Sequence, residues 1–232
     1  MVLPREELTM NFVWGLTMIM LGIFLQPPGV PAADLVKLPP PVLKGSVSVE
    51  EALQERRTVR RFASRSLDLK QVSQLLWATQ GITDPRGLRT APSAGATYPL
   101  EIYLVAGERG VTGLAPGIYR YHPKDHALEQ TLAGDHRAPV ARACLGQSWM
   151  ATAPVMVVFA ADFKRCTARY GNRGIMYTHM EVGHAGENLF LQAQALRLAA
   201  GIVGAFTDQA VSQTLNLPRE HEPLLVMPVG YK

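Results

Sequence analysis

The chain has 232 residues and a mass of 25.4 kDa, the size of one ordinary domain with an appendage. Apolar residues make up 47% and charged residues 18%, which excludes a disordered polypeptide. A net charge of +4 and a pI near 9.2 are mildly basic and fall well short of a polybasic tail.

The N-terminus differs from the rest. "FVWGLTMIMLGIFL" (12–25) is fourteen uncharged residues followed by "QPPGVPAAD". That length fits the apolar region of a signal peptide better than a span of about twenty residues. The preceding "MVLPREELTM" has one arginine against two glutamates, so it lacks the usual positive charge. Residues 1–33 are therefore expected to be an export signal or an uncleaved membrane anchor. Membrane association would run through residues 10–25, placing the protein outside the cytoplasm or on a membrane. Residues 34–46, containing "LVKLPPPVLKGS", read as an extended proline-rich linker. One globular domain over 47–232 follows.

Ser48 and Glu51 have capping-box spacing at the start of a helix "VEEALQERR". Asp68 precedes a second helix, "LKQVSQLLWATQ", and Gly81 can end it. "EIYLVAG" (101–107) reads as a strand, and "GIYRYHPKDHALEQTL" (117–132) as a hairpin turning at Pro-Lys-Asp. "APVMVVFAA" (153–161) is apolar throughout, as in a strand buried on both faces. The longest helical pattern is "YTHMEVGHAGENLFLQAQALRLAA" (177–200), apolar nearly all round. "GIVGAF" reads as a short strand, then come an Asp208-capped helix "QAVSQTLNL" and a closing strand "PLLVMPVG". Strands and helices mix without a βαβ rhythm, which favours an α+β fold.

Cys144 and Cys166 have neither CxxC spacing nor paired histidines, so they read as buried thiols. "EVGHAGEN" sets Glu181, His184, Glu187 and Asn188 within two helical turns. A di-iron site would need a second Glu-x-x-His, and the chain has none. These groups read as polar residues buried between helices, and no metal is expected. G-x-S-x-G, Walker A and G-x-G-x-x-G signals are missing as well.

The most unusual stretch is "ERRTVRRFASR" (55–65), with five arginines. Nucleic-acid binding needs phosphate contacts spread over a surface, whereas this charge is concentrated in one short segment. Arg56, Arg57, Thr58 and Arg60 offer three guanidiniums and a hydroxyl within five residues, suited to clamping one phosphate. The loop "TAPSAGATYP" has small residues, Ser93, Ala94 and Gly95, that allow close approach of a flat ligand. On composition alone an exposed basic strip beside a turn is an equal reading.

In chain order, "ERRTVRRF", "RTAPSAGATYPLEIYLV", "RYGNRG…YTHMEVGHAGENLFLQAQAL", "GIVGAF" and "EPLLVMPVGY" resemble the flavin-dependent nitroreductase family, most of all its SagB-type dehydrogenase branch. The resemblance implies a nitroreductase-like α+β fold, a mixed central sheet flanked by helices in an intertwined homodimer with FMN at the subunit interface. It implies that Arg56, Arg57 and Thr58 grip the FMN phosphate and ribityl chain, with Arg60 near the N1/O2 edge. Pro92, Ser93, Ala94 and Gly95 would meet the flavin from the partner subunit. Val203 and Gly204 would bring backbone amides to the N5 edge. NAD(P)H would serve as a transient electron donor.

Departures from the family pattern accompany the matches. "GHxxQN" reads "GHAGEN", placing Glu187 where a neutral amide is usual. A Lys-Tyr pair expected of azoline oxidases reads Arg169-Tyr170, and arginine is a poor general base. Arg60, Tyr170 and Glu187 are the candidate catalytic residues. The implied function is FMN-dependent hydride transfer, to or from a small electron-poor molecule of nitro or quinone type, or a peptide heterocycle. The alternative is a non-catalytic flavin-fold binding or scaffold subunit.

Overall fold

The computed structural model describes residues 35–232, so the expected signal or anchor over 1–33 lies outside the described residues. Among the described residues no helix is long and apolar enough to cross a membrane. The strands are β1 (Leu35–Lys37), β2 (Leu100–Ala106), β3 (Gly117–His122), β4 (Ala127–Ala133), β5 (Val155–Ala161), β6 (Ala199–Ala200) and β7 (Glu222–Gly230). The α-helices are α1 (Val49–Glu55), α2 (Leu69–Gln80), α3 (Arg137–Ala143), α4 (Phe163–Tyr170), α5 (Arg173–Ala195) and α6 (Asp208–Leu215).

The strands form one sheet in the order β1-β4-β3-β2-β5-β7-β6. The paired strands are antiparallel, and parallel bridges at Thr58–Ala200 and Leu67–Val111 make the sheet mixed. Every residue of β2 and β5 is buried. Their side chains alternate between two cores, as a period of two dictates. Ile102, Leu104, Val157 and Phe159 join the core containing residues of α2 and α5. Tyr103, Val105, Met156 and Val158 join the core containing residues of α3 and α6. Helices on both faces explain why β5 is apolar at every position.

Several local expectations need revision. Ser48 Oγ accepts from the Glu51 N–H at 3.0 Å, but the Glu51 carboxylate pairs with Arg197 instead, at 3.0 Å. The complete capping box belongs to α2, where Asp68 and Gln71 satisfy each other's backbone N–H groups. Thr207, with no side-chain cap, precedes α6, and Asp208 lies inside its first turn, where a carboxylate still complements the positive end of the dipole. Helix α1 stops at Glu55, with Arg56 as its C-cap. Part of the expected linker takes part in the fold: β1 pairs with Ala127–Glu129. The motif "GIVGAF" contributes a single bridge, Val203–Val226, beyond the short β6.

Helix α5 buries one face, with Val182, Ala185, Leu189, Phe190 and Ala193 in the core. Its other side exposes Ile175, Met176 and Met180, so within one chain it is amphipathic rather than apolar all round. Both cysteines are free and buried, and burial pushes the Cys144 thiol up to about 11.

Candidate functional site

The arginine segment is held in place by main-chain pairing. Beyond α1 the chain extends, Thr58 bridges Ala200 in parallel, and the Val59 N–H donates to the Ala200 carbonyl at 2.9 Å. This lays Arg56–Arg60 beside β6 and the start of "GIVGAF", 140 residues away in sequence. The indole of Trp149 fills the space below. A Cβ added at Gly201 would come within 2.8 Å of that ring and of the Val59 carbonyl, so only glycine permits the approach. Phe62 stacks on Trp149 with ring centroids 6.4 Å apart, and the Arg60 guanidinium lies 5.9 Å from the Trp149 ring. Val203 is buried by its pairing with Val226. Gly204 is exposed, with nothing within 4 Å of where a Cβ would stand.

The side chains of the segment differ in how far they are already engaged. Arg56 Nε sits 3.2 Å from Glu187 Oε1, and its guanidinium lies 5.2 Å from the Phe190 ring centroid. That Nε is buried, and it lacks a well-directed hydrogen-bond partner. Arg57 turns back, donating from Nη1 to the carbonyls of Gln54 at 2.8 Å and of Arg56 at 2.6 Å. It serves the carbonyl end of α1, where a cation complements the dipole. Arg65 lies over the Tyr231 ring at 3.9 Å, away from the clamp.

A second group forms around the loop after Thr90. Gly95, Ala96 and Tyr98 all have positive φ (57°, 53° and 45°), unusual for the two non-glycine residues. The Tyr98 N–H donates to Ser93 Oγ at 2.9 Å. Arg169 donates to the Gly95 carbonyl at 3.2 Å, and a Cβ on Gly95 would collide with the Tyr170 hydroxyl at 2.4 Å. Tyr170 therefore belongs with the Pro92–Gly95 loop, whereas Glu187 belongs with the arginine segment. Arg89 stacks on Tyr98 at 4.4 Å and donates to Gln80 Oε1 at 2.9 Å. Gln80 in turn donates to Glu181 at 3.3 Å, and Glu181 is 2% exposed. Burial pushes the Glu181 carboxyl up, against hydrogen bonds from Ser93 and Gln80 and the charge of Arg89.

The "EVGHAGEN" residues do not act together. Glu181 points inward to Gln80, Asn188 donates to the Thr90 carbonyl at 3.3 Å, Glu187 pairs with Arg56, and His184 is exposed. Among the described residues no group of three or more His, Cys, Asp or Glu could hold a metal. Trp149, Gln80 and Arg89 were not legible as site residues. The closest sequence signal was an ionisable residue, Glu181, on the apolar side of a long helical pattern.

The fold is an α+β one with an antiparallel-rich sheet and a cationic segment bridged to its edge strand β6. The nitroreductase family model matches residues 53–231, and the chain belongs to this family, which is one of oxidoreductases. A Methanocaldococcus jannaschii protein that carries the nitroreductase name is 43% identical over 186 residues, 80% of this chain and 92% of its own length. The Escherichia coli microcin B17-processing protein McbC is 28% identical over 169 residues, 71% of this chain and 62% of its own. The crystal structure of a nitroreductase-named protein from Ralstonia eutropha superposes with a TM-score of 0.74 and 28% identity, covering 85% of this chain and 89% of that one. The peptide-processing relative agrees with the SagB-type branch that the motifs resemble.

Proposed function

We propose that the protein is an FMN-dependent oxidoreductase that moves hydride to or from a small electron-poor molecule or a peptide heterocycle. The observation that carries this reading is the anchoring of Thr58 and Val59 on Ala200 and against Gly201, which sets a cationic segment beside the start of the "GIVGAF" motif. The donor set fits the cofactor. Arg56 holds an under-satisfied buried Nε and aligns with a carboxylate, Arg60 is exposed, and Gly204 leaves room for close approach. Arg56, Arg57 and Thr58 would hold the phosphate and ribityl chain, which requires Arg57 to leave the carbonyls it now caps. Arg60 would face the N1/O2 edge, where a cation favours the reduced, anionic ring. Val203 and Gly204 would present backbone to the N5 edge.

When bound, FMN supplies a two-electron carrier that accepts and returns hydride at N5. NAD(P)H is the proposed transient donor. The protein's own part is to bind, orient and shield, and Tyr170 and Glu187 are the nearby groups able to hold a proton. The Pro92–Gly95 loop would serve a flavin held by a second copy of the chain. The exposed apolar residues Ile175, Met176 and Met180 on α5 support such a homodimer. Export or membrane anchoring through residues 10–25 is our proposal from the sequence, to be checked by fusing a reporter to residues 1–45 and assaying both sides of the membrane.

The test is to purify the full chain and titrate it with FMN, following visible absorption and quenching of flavin fluorescence. Saturable binding is expected, and a protein that stays colourless and quenches nothing overturns the reading. Arg169, where azoline oxidases are expected to carry a lysine, counts against azoline oxidation specifically. Glu187 and Met176 motivate a different rival, a flavin-binding scaffold without turnover. Bound flavin that neither dithionite-independent donors nor nitro, quinone or azoline substrates can reduce or reoxidise would establish that rival.

A further inference from the structure

The structure points to Glu181 as a positioning residue, one that fixes the cofactor-facing loop of this chain without touching the cofactor. This inference rests on the FMN reading above and adds a residue to it. Glu181 lies on the inward face of α5 and is almost fully buried. A carboxyl in that environment is costly unless its lone pairs are engaged. Its hydrogen-bond partner comes from another part of the chain. Gln80, at the end of α2 and fully buried, donates to it at 3.3 Å.

Gln80 is tied onward. Its Oε1 accepts from Arg89, whose guanidinium covers the Tyr98 ring. The Tyr98 backbone is held in turn, its N–H donating to Ser93 Oγ and its carbonyl accepting from Arg165 at 3.2 Å. The relay Glu181–Gln80–Arg89 thus ends on Tyr98. The loop it reaches contains Gly95, Ala96 and Tyr98, all left-handed. Left-handed non-glycine residues persist where the surroundings over-determine them, and Glu181 is the buried node of those surroundings. A hydrophobic side chain at this position would fill the space equally well and would avoid the cost of a buried acid. The carboxyl is therefore better explained by the loop it holds than by stability.

The experiment compares the full-length wild type with Glu181→Leu and Glu181→Gln. Leucine keeps the volume and removes the bond from Gln80, while glutamine keeps an acceptor for it. Three quantities are read: thermal midpoint, hydrogen exchange over residues 93–98, and the FMN dissociation constant. Glu181→Leu is expected to melt no lower than wild type, yet to exchange at the Tyr98 amide about tenfold faster and bind FMN about tenfold more weakly, the effect of one buried hydrogen bond. Glu181→Gln should restore both. Loop exchange and FMN affinity unchanged in Glu181→Leu would overturn the proposal, as would a glutamine variant no better than leucine. Faster exchange in Glu181→Leu, with no FMN binding even by wild type, would uphold the loop role and overturn the cofactor reading instead.

Discussion

Arg56 Nε and Glu187 Oε1 stand 3.2 Å apart, joining the end of α1 to the middle of α5 across 131 positions of sequence. The pair places a carboxylate beside the first cation of the proposed phosphate clamp. It has two consequences that pull in opposite directions: the carboxylate orients the guanidinium, and its charge opposes an arriving phosphate.

Glu187→Gln separates these effects. The pair is more than a third exposed on both sides or close to it, at 34% and 43%, so solvent screens it and its loss should cost about 0–1 kcal/mol of stability. Removing a negative charge beside the clamp should tighten FMN binding by up to about fivefold at low salt, a gain of ~1 kcal/mol. The advantage should fade as salt is raised. Titration at two ionic strengths checks both points, and weaker binding by the variant would show that orientation dominates.

The double variant Arg56→Ala/Arg57→Ala tests the clamp itself. A charge-assisted hydrogen bond contributes about 1.5–3 kcal/mol, so losing one such contact should weaken FMN binding by roughly ten- to a hundredfold. Far-UV circular dichroism should be retained, because neither side chain belongs to a hydrophobic core. A variant that binds FMN as wild type does would mean that other residues hold the phosphate.

Gly201 and Gly204 should respond differently to alanine. At Gly201 the new Cβ meets Trp149 and the Val59 carbonyl at 2.8 Å, and overpacking of this kind costs about 1–3 kcal/mol. The thermal midpoint should fall by roughly 2–4 °C for each kcal/mol lost. Gly204→Ala meets nothing in the chain, so its midpoint should stay put, and any loss would appear in FMN affinity alone.

Two acids with opposite shifts, the solvent-facing Asp135 and the buried Glu181, give opposite pH responses. Asp135 is pushed up by burial but held down more strongly by the Arg137 side chain and by backbone N–H groups, to about 2 from 3.8. A depressed folded value means that its contribution is present above about pH 4 and is lost as the pH falls towards 2. Asp135→Asn should therefore be less stable than wild type at neutral pH and should converge with it near pH 2. Glu181 is raised by burial, so its contribution is full below the unfolded carboxyl range and is lost as the pH rises through the folded value. Relative to wild type, Glu181→Gln should gain stability with rising pH. Urea midpoints across pH read both effects.

Much of the architecture was legible because it rests on local patterns. The β3–β4 hairpin with its Pro-Lys-Asp turn, the unbroken apolarity of β5 and the Asp68 start of α2 follow from turn chemistry, burial periodicity and backbone satisfaction, which any short window reveals. Helices α3 and α4 were not legible because they are short, at seven and eight residues, although Asp162 caps α4 by accepting from the Lys164 N–H at 3.0 Å. His136 offers no cap bond to α3.

The sequence by itself determined the fold class, the family motifs and the concentration of cations at 56–65, since composition and local spacing suffice for these. Only the tertiary structure decided which cations matter together. It paired Arg56 with Glu187, set Arg60 on Trp149, sent Arg65 to Tyr231, and buried Glu181 against Gln80. Each of these contacts joins residues distant in the chain. Their partners are chosen by how the sheet orders β6 beside the extended segment at Thr58, and by which face of α5 the core consumes, and neither is written in any single stretch of residues.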